Sequence, residues 1–474
     1  MGFKKYAAIA LTLLIAASLS TLLPACAALT ATNGTQNKEL ANAQPVAIYH
    51  AFNQPYAEVE TFACALADQG YSHLQISPTQ QSNPGPEWWK RYQPYDHSVI
   101  SGLGNARELQ QLTRTAHSCN LEVIADVVFN HMANLDGGED FEDLSKYPNL
   151  SADDFHTDSN NIGIRPCGIN YSDGNRESEL NCWLGGLPDL RFTNNVKSLQ
   201  KAHLQVLLDL GIDGFRFDAA KHIPPDVLSD YIDYINQQSG GNTWNYLEVI
   251  SDHDTKGTDY SWIATVTDFV LYNSMKDAFS ADGDLRSLPT QALEDSRSVT
   301  FGSNHDTVLS LNSAALNPYA DVGDSYLATA YVLARQAGTP LVFSADHSSA
   351  PYLKTGVKFR QIIRQRQQQG LNTAENILRV LDSDVVLLME RGAEGFFVEN
   401  KGTQPFDTST LNLTLSNLDG CYRELRNGFT VAIEHRNGKK YVTRWGTWDR
   451  GGIDISGRDA LYFVRAPFDQ CLAD

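Results

Sequence analysis

The chain has 474 residues, 42% of them hydrophobic and 10% aromatic, which excludes a disordered or low-complexity polymer and leaves room for two to four globular domains. Fifty-six acidic against 37 basic residues give a net charge of -19. Such a balance repels phosphate backbones and anionic lipid headgroups, so nucleic-acid binding is excluded and a neutral substrate such as a sugar is compatible.

Residues 1–28 have the layout of a secretory signal: Lys4 and Lys5, an apolar stretch from Tyr6 to Leu23, and a small-residue exit at Ala25 to Ala28. Leu23-Pro24-Ala25-Cys26 is also similar to a lipoprotein cleavage box with Cys26 as the lipidated residue, although its proline departs from the usual choice. Export, with or without a lipid anchor, is the expectation, and polar residues 29–44 read as a tether. Six further cysteines remain: Cys64, Cys119, Cys167, Cys182, Cys421 and Cys471. An even number in an exported chain points to disulfides with fifteen possible pairings, whereas the scattered positions and the lack of a CxxC pair disfavour zinc.

Eight β-rich runs follow: PVAIYHAF from Pro45, SHLQISP from Ser72, LEVIADVVFN from Leu121, IDGFRFDAA from Ile212, WNYLEVIS from Trp244, DFVLY from Asp268, RSVTFGSN from Arg297 and TPLVFSA from Thr339. Stretches with three-to-four apolar spacing lie between them, among them ARELQQLTRTAHS and NNVKSLQKAHLQVLLDLG. This alternation predicts an α/β fold, a (β/α)8 TIM barrel over residues 45–131 and 184–381. Residues 132–183, rich in Asp, Asn, Gly and Ser, are too long for a simple βα loop and read as a small inserted domain over the barrel mouth. From 382 to 474, short alternating runs such as GFFVEN and ALYFVRA predict an appended all-β antiparallel sandwich domain.

Residues at the C-terminal ends of barrel strands face the usual site of chemistry. In GFRFDAAKH, Arg216 and Asp218 are two apart and share one strand face, and the guanidinium favours an ionised carboxylate. The fifth strand ends at Glu248, the seventh at Asn304-His305-Asp306 and the third at Asn130-His131. Two convergent carboxyls, one attacking and one protonated, are what retaining glycoside hydrolysis needs. Trp88, Trp89 and Tyr92 in EWWKRYQPY offer aromatic faces for sugar rings after the second strand.

The blocks DVVFNH, LPDL, GFRFDAAKH, EVI and FGSNHD, in this order, resemble the α-amylases of glycoside hydrolase family 13. The resemblance implies endo-hydrolysis of α-1,4-glucosidic bonds in starch or glycogen, with Asp218 as nucleophile, Glu248 as general acid and base, and Asp306 as stabiliser of the distorted sugar. His131, Arg216 and His305 would surround the cleaved residue, Lys221 and His222 would serve the leaving-group side, and Trp88, Trp89 and Tyr92 would form a substrate wall. The alternatives are an exo-acting or transglycosylating enzyme of the same family and a non-catalytic glucan-binding lipoprotein. A calcium ion is implied between barrel and insert, held by Asn130, Asp189, Asn181 and the His222 carbonyl, with Asn181 standing where animal-type members have aspartate. Of the residues that bind chloride in animal-type members, Arg216 and Asn304 are present, but the third position falls near Leu341, which leaves chloride in doubt. The resemblance also favours Cys64 with Cys119 and Cys167 with Cys182, so that Cys421 is left for Cys471, and a monomer acting on an α-glucan polysaccharide.

Overall fold

Every β-to-α connection of the barrel ends in a helix but one, and that exception shapes the rim of the site. The computed structural model describes residues 44–472 except 135–145, 157–166, 173, 175, 289–297, 310–318, 379–382, 409–412, 414–415, 437–438 and 444–453. Eight parallel strands close into a barrel in sequence order: β1 (Ile48–Ala51), β2 (His73–Ile76), β3 (Glu122–Val127), β4 (Gly214–Phe217), β5 (Tyr246–Leu247), β6 (Thr265–Thr267), β7 (Ser298–Thr300) and β8 (Thr339–Phe343). Among the described residues, seven long α-helices wrap it: α1 (Tyr56–Gln69), α2 (Ala106–Ser118), α3 (Asn194–Asp209), α4 (Pro225–Ser239), α5 (Phe269–Phe279), α6 (Val322–Ala334) and α7 (Pro351–Gln368). Local chemistry sets their ends. Asn105 and Glu108 form a capping box on α2, the Thr193 hydroxyl caps α3, and Gly70 and Gly240 close α1 and α4 in the left-handed region.

The sixth strand differs from the expectation. The run FVLY is not a strand but the first turn of α5; the strand is Thr265–Thr267, just before it. The Asp268 carboxylate accepts a hydrogen bond from the Leu271 N–H at 2.9 Å, and that cap turns the apolar run into a helix start. Between β5 and β6 the chain makes only a 3-10 turn, Gly257–Asp259, in place of a helix. This segment crosses toward the insert instead: Thr255 donates to Glu179 at 2.5 Å, and the Gly174 N–H donates to Asp254 at 3.1 Å.

Period-two alternation sorts the barrel side chains. Val123, Ala125, Val127, Phe215, Phe217 and Leu247 point to the helices and join the main core, whereas Ile48, Ile124, Tyr246, Val299, Phe301 and Leu341 fill a separate interior plug. Gly214 opens β4 because a Cβ there would lie 2.0 Å from the Trp244 carbonyl oxygen. The insert adds a third small core around Met132, Tyr147, Phe155, Trp183 and Leu190.

Beyond α7, a seven-stranded antiparallel sheet has the order β9 (Glu375–Leu378), β10 (Val386–Arg391), β11 (Gly395–Asn400), β15 (Asp459–Arg465), β12 (Gly420–Glu424), β13 (Thr430–Arg436) and β14 (Lys439–Thr443), beside a two-residue pair of Phe406–Asp407 with Asp454–Ile455. Alternation buries both faces. Leu387, Met389, Phe397 and Tyr462 pack on the barrel helices, and Leu388, Phe396, Val398 and Phe463 form the domain's own core. Three disulfides join Cys64 to Cys119, Cys167 to Cys182, and Cys421 to Cys471.

Candidate active site at the barrel mouth

Above the apolar plug the barrel interior becomes charged. Arg216 on β4 lies opposite Asp126 on β3 in register, and its guanidinium donates to both Asp126 oxygens at 2.7 and 2.6 Å. It also reaches Asp218 at 3.0 Å and pairs with Glu248. The strands thus deliver three carboxyls to one fixed cation, all nearly out of reach of solvent. Asp306, at the start of a short helix after β7, joins the group, where burial raises its carboxyl and the neighbouring charge of Glu248 raises it further.

Burial of this many acids around one guanidinium cannot leave them all ionised, since each uncompensated buried charge costs several kcal/mol, of order 3–5. Desolvation pushes the Asp218 and Asp306 carboxyls well above the usual carboxylate range, and Arg216 pulls both back. Asp126 is pushed up to about 6 by the same burial, against the pull of Arg216. Burial thus favours the protonated form of these carboxyls while Arg216 favours negative charge beside them, two opposed pulls in one space of the kind that acid-assisted displacement uses. Ala219, between Asp218 and the Ala220–His222 turn, takes a left-handed φ of 47°, and its N–H donates to Glu248 at 3.0 Å. This costly conformation of a non-glycine residue sits where the chain must aim both carboxyls into one space.

An aromatic wall flanks the acids. The His305 ring lies between Phe52 and Tyr92, with centroids 4.7 and 4.9 Å away and near-parallel planes, and Trp88 meets its edge at 5.6 Å. His305 also contacts Asp306 at 3.2 Å. The Tyr92 hydroxyl donates to Asp126 at 3.0 Å, and its carbonyl lies 3.0 Å from His131 Nε2. Burial holds His131 down at about 4 and His305 well below the usual imidazole range, so both are neutral hydrogen-bonding groups. Trp89 stands half-exposed beside the wall, its ring 5.5 Å from the Lys90 ammonium.

On the opposite rim, Lys221 pairs with Asp252 and donates to the Ile250 carbonyl at 3.1 Å. Tyr171 of the insert covers this side, its ring 4.6 Å from Lys221 Nζ and 6.1 Å from the His222 ring. His222 Nδ1 is held 2.8 Å from the Glu179 carbonyl.

The residues expected to bind calcium fall between barrel and insert. Asn130 and Asp189 are buried neighbours, with the His131–Asp189 bridge joining their segments. Among the described residues, Asn130 Oδ1 and Asp189 Oδ1 each lack a hydrogen-bond partner, and Asp189 Oδ2 lies 2.5 Å from His156 Nδ1. Two buried hard oxygens without such partners suit a hard cation. Asn181, half-buried at the end of the turn Glu177–Asn181, donates its amide to the Glu177 carbonyl at 2.9 Å. Among the described residues no three His, Cys, Asp or Glu side chains converge as a metal cluster, so amide and backbone oxygens would have to complete the set. Of the chloride candidates, Arg216 is surrounded by carboxylates, Asn304 accepts from the Thr307 N–H at 2.9 Å, and Leu341 belongs to the apolar plug.

Asp126, Phe52, Tyr171 and Glu179 were not singled out by sequence reasoning. An acid at the centre of the apolar stretch VIADVVF is the one signal that could have found Asp126; the other three depend on contacts far apart in the chain.

The alpha-amylase catalytic-domain profile matches residues 69–270. The chain is 32% identical over 409 residues to an alpha-amylase of Aeromonas hydrophila, covering 75% of this chain and 84% of that protein. Its fold superposes on a point variant of alpha-amylase I from Eisenia fetida in complex with maltohexaose, with a TM-score of 0.69 at 20% identity over 90% of this chain and 98% of that one. It also superposes on a γ-CGTase from alkalophilic Bacillus clarkii, with a TM-score of 0.65 at 17% identity over 89% and 70% of the two chains. With a closed eight-stranded barrel and buried acids at its mouth, the chain belongs to the α-amylase family, glycoside hydrolase family 13.

Proposed function

We propose that the protein is an exported endo-acting α-amylase that hydrolyses α-1,4-glucosidic bonds in starch, glycogen and related glucans with retention of configuration. The observation that carries this reading is the convergence of Asp218, Glu248 and Asp306 around Arg216 at the barrel mouth.

A glucan chain lies along the wall of Trp88 and Tyr92, and binding energy from its several rings distorts the unit at the cluster toward the transition state. Asp218, held by Arg216, attacks the anomeric carbon. Glu248 gives its proton to the departing glycosidic oxygen, and Lys221 and His222 hold the leaving chain. Water then enters, Glu248 takes its proton, and the bond to Asp218 breaks, so the product keeps the starting configuration. Asp306, with His131 and His305, grips hydroxyls of the distorted ring.

Calcium, when bound, cross-links insert and barrel through oxygen ligands. Asn130 and Asp189 would hold it, aided by Asn181 and the His222 carbonyl, and so fix His131 and His222 at the mouth. Residues 1–43, where the expected export signal, the Cys26 lipid box and nearly all of the 29–44 tether fall, lie outside the described residues. Three disulfides support an oxidising destination, and no helix among the described residues is long and apolar enough to cross a membrane.

The test is a time course on soluble starch with calcium, following iodine colour, reducing ends and product sizes together. Rapid colour loss with few new ends and a spread of short oligosaccharides is the expected outcome. Slow colour loss with one small product would replace the proposal by exo-action. New glycosidic linkages would replace it by transglycosylation, and binding without cleavage by a glucan-binding role.

A further inference from the structure

The interior layer just above the apolar plug holds polar groups that the acid cluster leaves unused. His50 on β1 and Gln75 on β2 pair in register, and both side chains are completely buried. Period-two alternation turns them inward: Ile48, two residues before His50, belongs to the interior plug, while Leu74 and Ile76, on either side of Gln75, belong to the outer core. The His50 ring meets His305 at 5.3 Å between centroids with nearly perpendicular planes, and Phe52 and Phe343 pack against it at 5.6 and 5.8 Å.

Among the described residues, four buried nitrogens of this layer have no hydrogen-bond partner: both of His50, Nε2 of Gln75 and Nδ1 of His305. Leaving a buried polar atom unpaired is costly, and the needs of these four are complementary. Gln75 Oε1 already accepts from the Tyr246 hydroxyl, so the amide has only its Nε2–H groups to offer. Burial, helped by the charge of Arg216, holds the His50 imidazole down at about 3, so the ring is neutral, with one nitrogen accepting and the other donating. His305 Nε2 lies 3.2 Å from Asp306, which leaves Nδ1 as its free nitrogen. Register neighbours stand one strand spacing, about 4.8 Å, apart and the two imidazoles are in contact, so a bridging water or a small ring rotation closes each link. The chain then has one polarity. Gln75 donates to His50, His50 donates to His305 Nδ1, and the His305 proton stays on Nε2, where it donates to Asp306.

We propose that His50 is a positioning residue: oriented by Gln75, it fixes the His305 tautomer that donates from Nε2 and so holds Asp306 as an acceptor for hydroxyls of the distorted sugar. This rests on the glycosidase reading of Asp306. With its proton on Nδ1 instead, His305 would turn a lone pair toward the Asp306 carboxylate, and the two would repel each other where the ring must be gripped.

The test records long-range proton–nitrogen correlation spectra of the histidine rings in the intact protein, with the His305 signals assigned by their loss in His305→Asn. It compares the wild type with His50→Phe, which fills the ring's space without nitrogens, and with Gln75→Met, which keeps the length of the side chain without its amide, so the result does not hang on one variant's folding. The wild type is expected to carry the His305 proton on Nε2. Both variants are expected to move a substantial share of it to Nδ1 and to lower kcat on soluble starch about tenfold with KM little changed, the scale of one buried hydrogen bond lost in the transition state. A proton on Nδ1 in the wild type, or one that stays on Nε2 in both variants, would overturn the role of His50 whatever the rates do, as would an unchanged kcat in both. Absence of starch hydrolysis by the wild type would instead overturn the glycosidase reading, while the spectra would still decide the tautomer.

Discussion

Asp126 and Arg216 face each other in register across neighbouring barrel strands, and this buried pair fixes the guanidinium that Asp218 and Glu248 share. The aromatic wall leans on the same pair through the Tyr92 hydroxyl.

Removal of Asp126 therefore has two effects. Asp126→Ala strips Arg216 of its bidentate partner, and breaking a buried pair from one side costs about 3–5 kcal/mol. The urea midpoint is expected to fall accordingly. Turnover on starch is expected to fall at least tenfold even at temperatures where the variant stays folded, because Arg216 no longer stands fixed against Asp218. Unchanged turnover in the folded variant would show that the pair serves stability alone.

Asp218→Asn keeps the shape of the side chain and removes the carboxylate proposed to attack. Turnover is expected to drop by about 10⁴-fold or more, the scale of losing a group on which a covalent route depends. Starch binding, measured by affinity electrophoresis, is expected to persist. Substantial residual hydrolysis would remove Asp218 as nucleophile.

Buried titratable groups give stability a defined pH window. His50 and His97 are held down at about 3 and His203 at about 4, all by burial. Their contribution is present above about 6.5 and is lost as pH falls toward those values. Asp126 and Asp346 are raised to about 6 by burial, so their contribution is present below about 3.8 and is lost as pH rises through 6. Thermal midpoints are thus expected to fall steeply from pH 6.5 to 4. Asp346→Asn is expected to flatten the part of the curve between pH 4 and 7 that Asp346 supplies. A midpoint in Asp346→Asn that does not fall between pH 6.5 and 4 would contradict the neutral burial of these histidines.

The sequence exposed the parts of the site that obey strand periodicity. Arg216 and Asp218 share a face by their spacing of two, and Glu248, His131 and Asp306 follow short β runs, so their convergence was legible once a barrel was inferred. Less visible were groups brought in by tertiary contact: Phe52 against His305, Tyr171 over Lys221, and Glu179 against Thr255. The sixth strand was misplaced by a few residues because an apolar run reads equally as strand or helix until its cap is recognised, and Asp268 is that cap. The absent helix after β5 leaves no periodic signature, since that segment is spent on polar contacts with the insert.

Calcium loading gives a separate readout of the buried oxygens of Asn130 and Asp189. With calcium at about a hundred times its dissociation constant, stabilisation of about 2.7 kcal/mol is expected as a rise in thermal midpoint, reversed by a chelator. Asp189→Ala, which removes an orphaned oxygen, is expected to abolish that rise. A calcium-dependent rise that persists in this variant would place the ion elsewhere.

The central claim, covalent attack by Asp218, is tested most directly by trapping. Incubation with a fluorinated glucosyl or maltosyl fluoride that forms the glycosyl-enzyme quickly and releases it slowly, followed by peptide mass mapping, identifies the labelled residue. The account predicts one added glycosyl group, on Asp218 in the segment GFRFDAAK. A label on Glu248 or Asp306, or inactivation without any label, would contradict it.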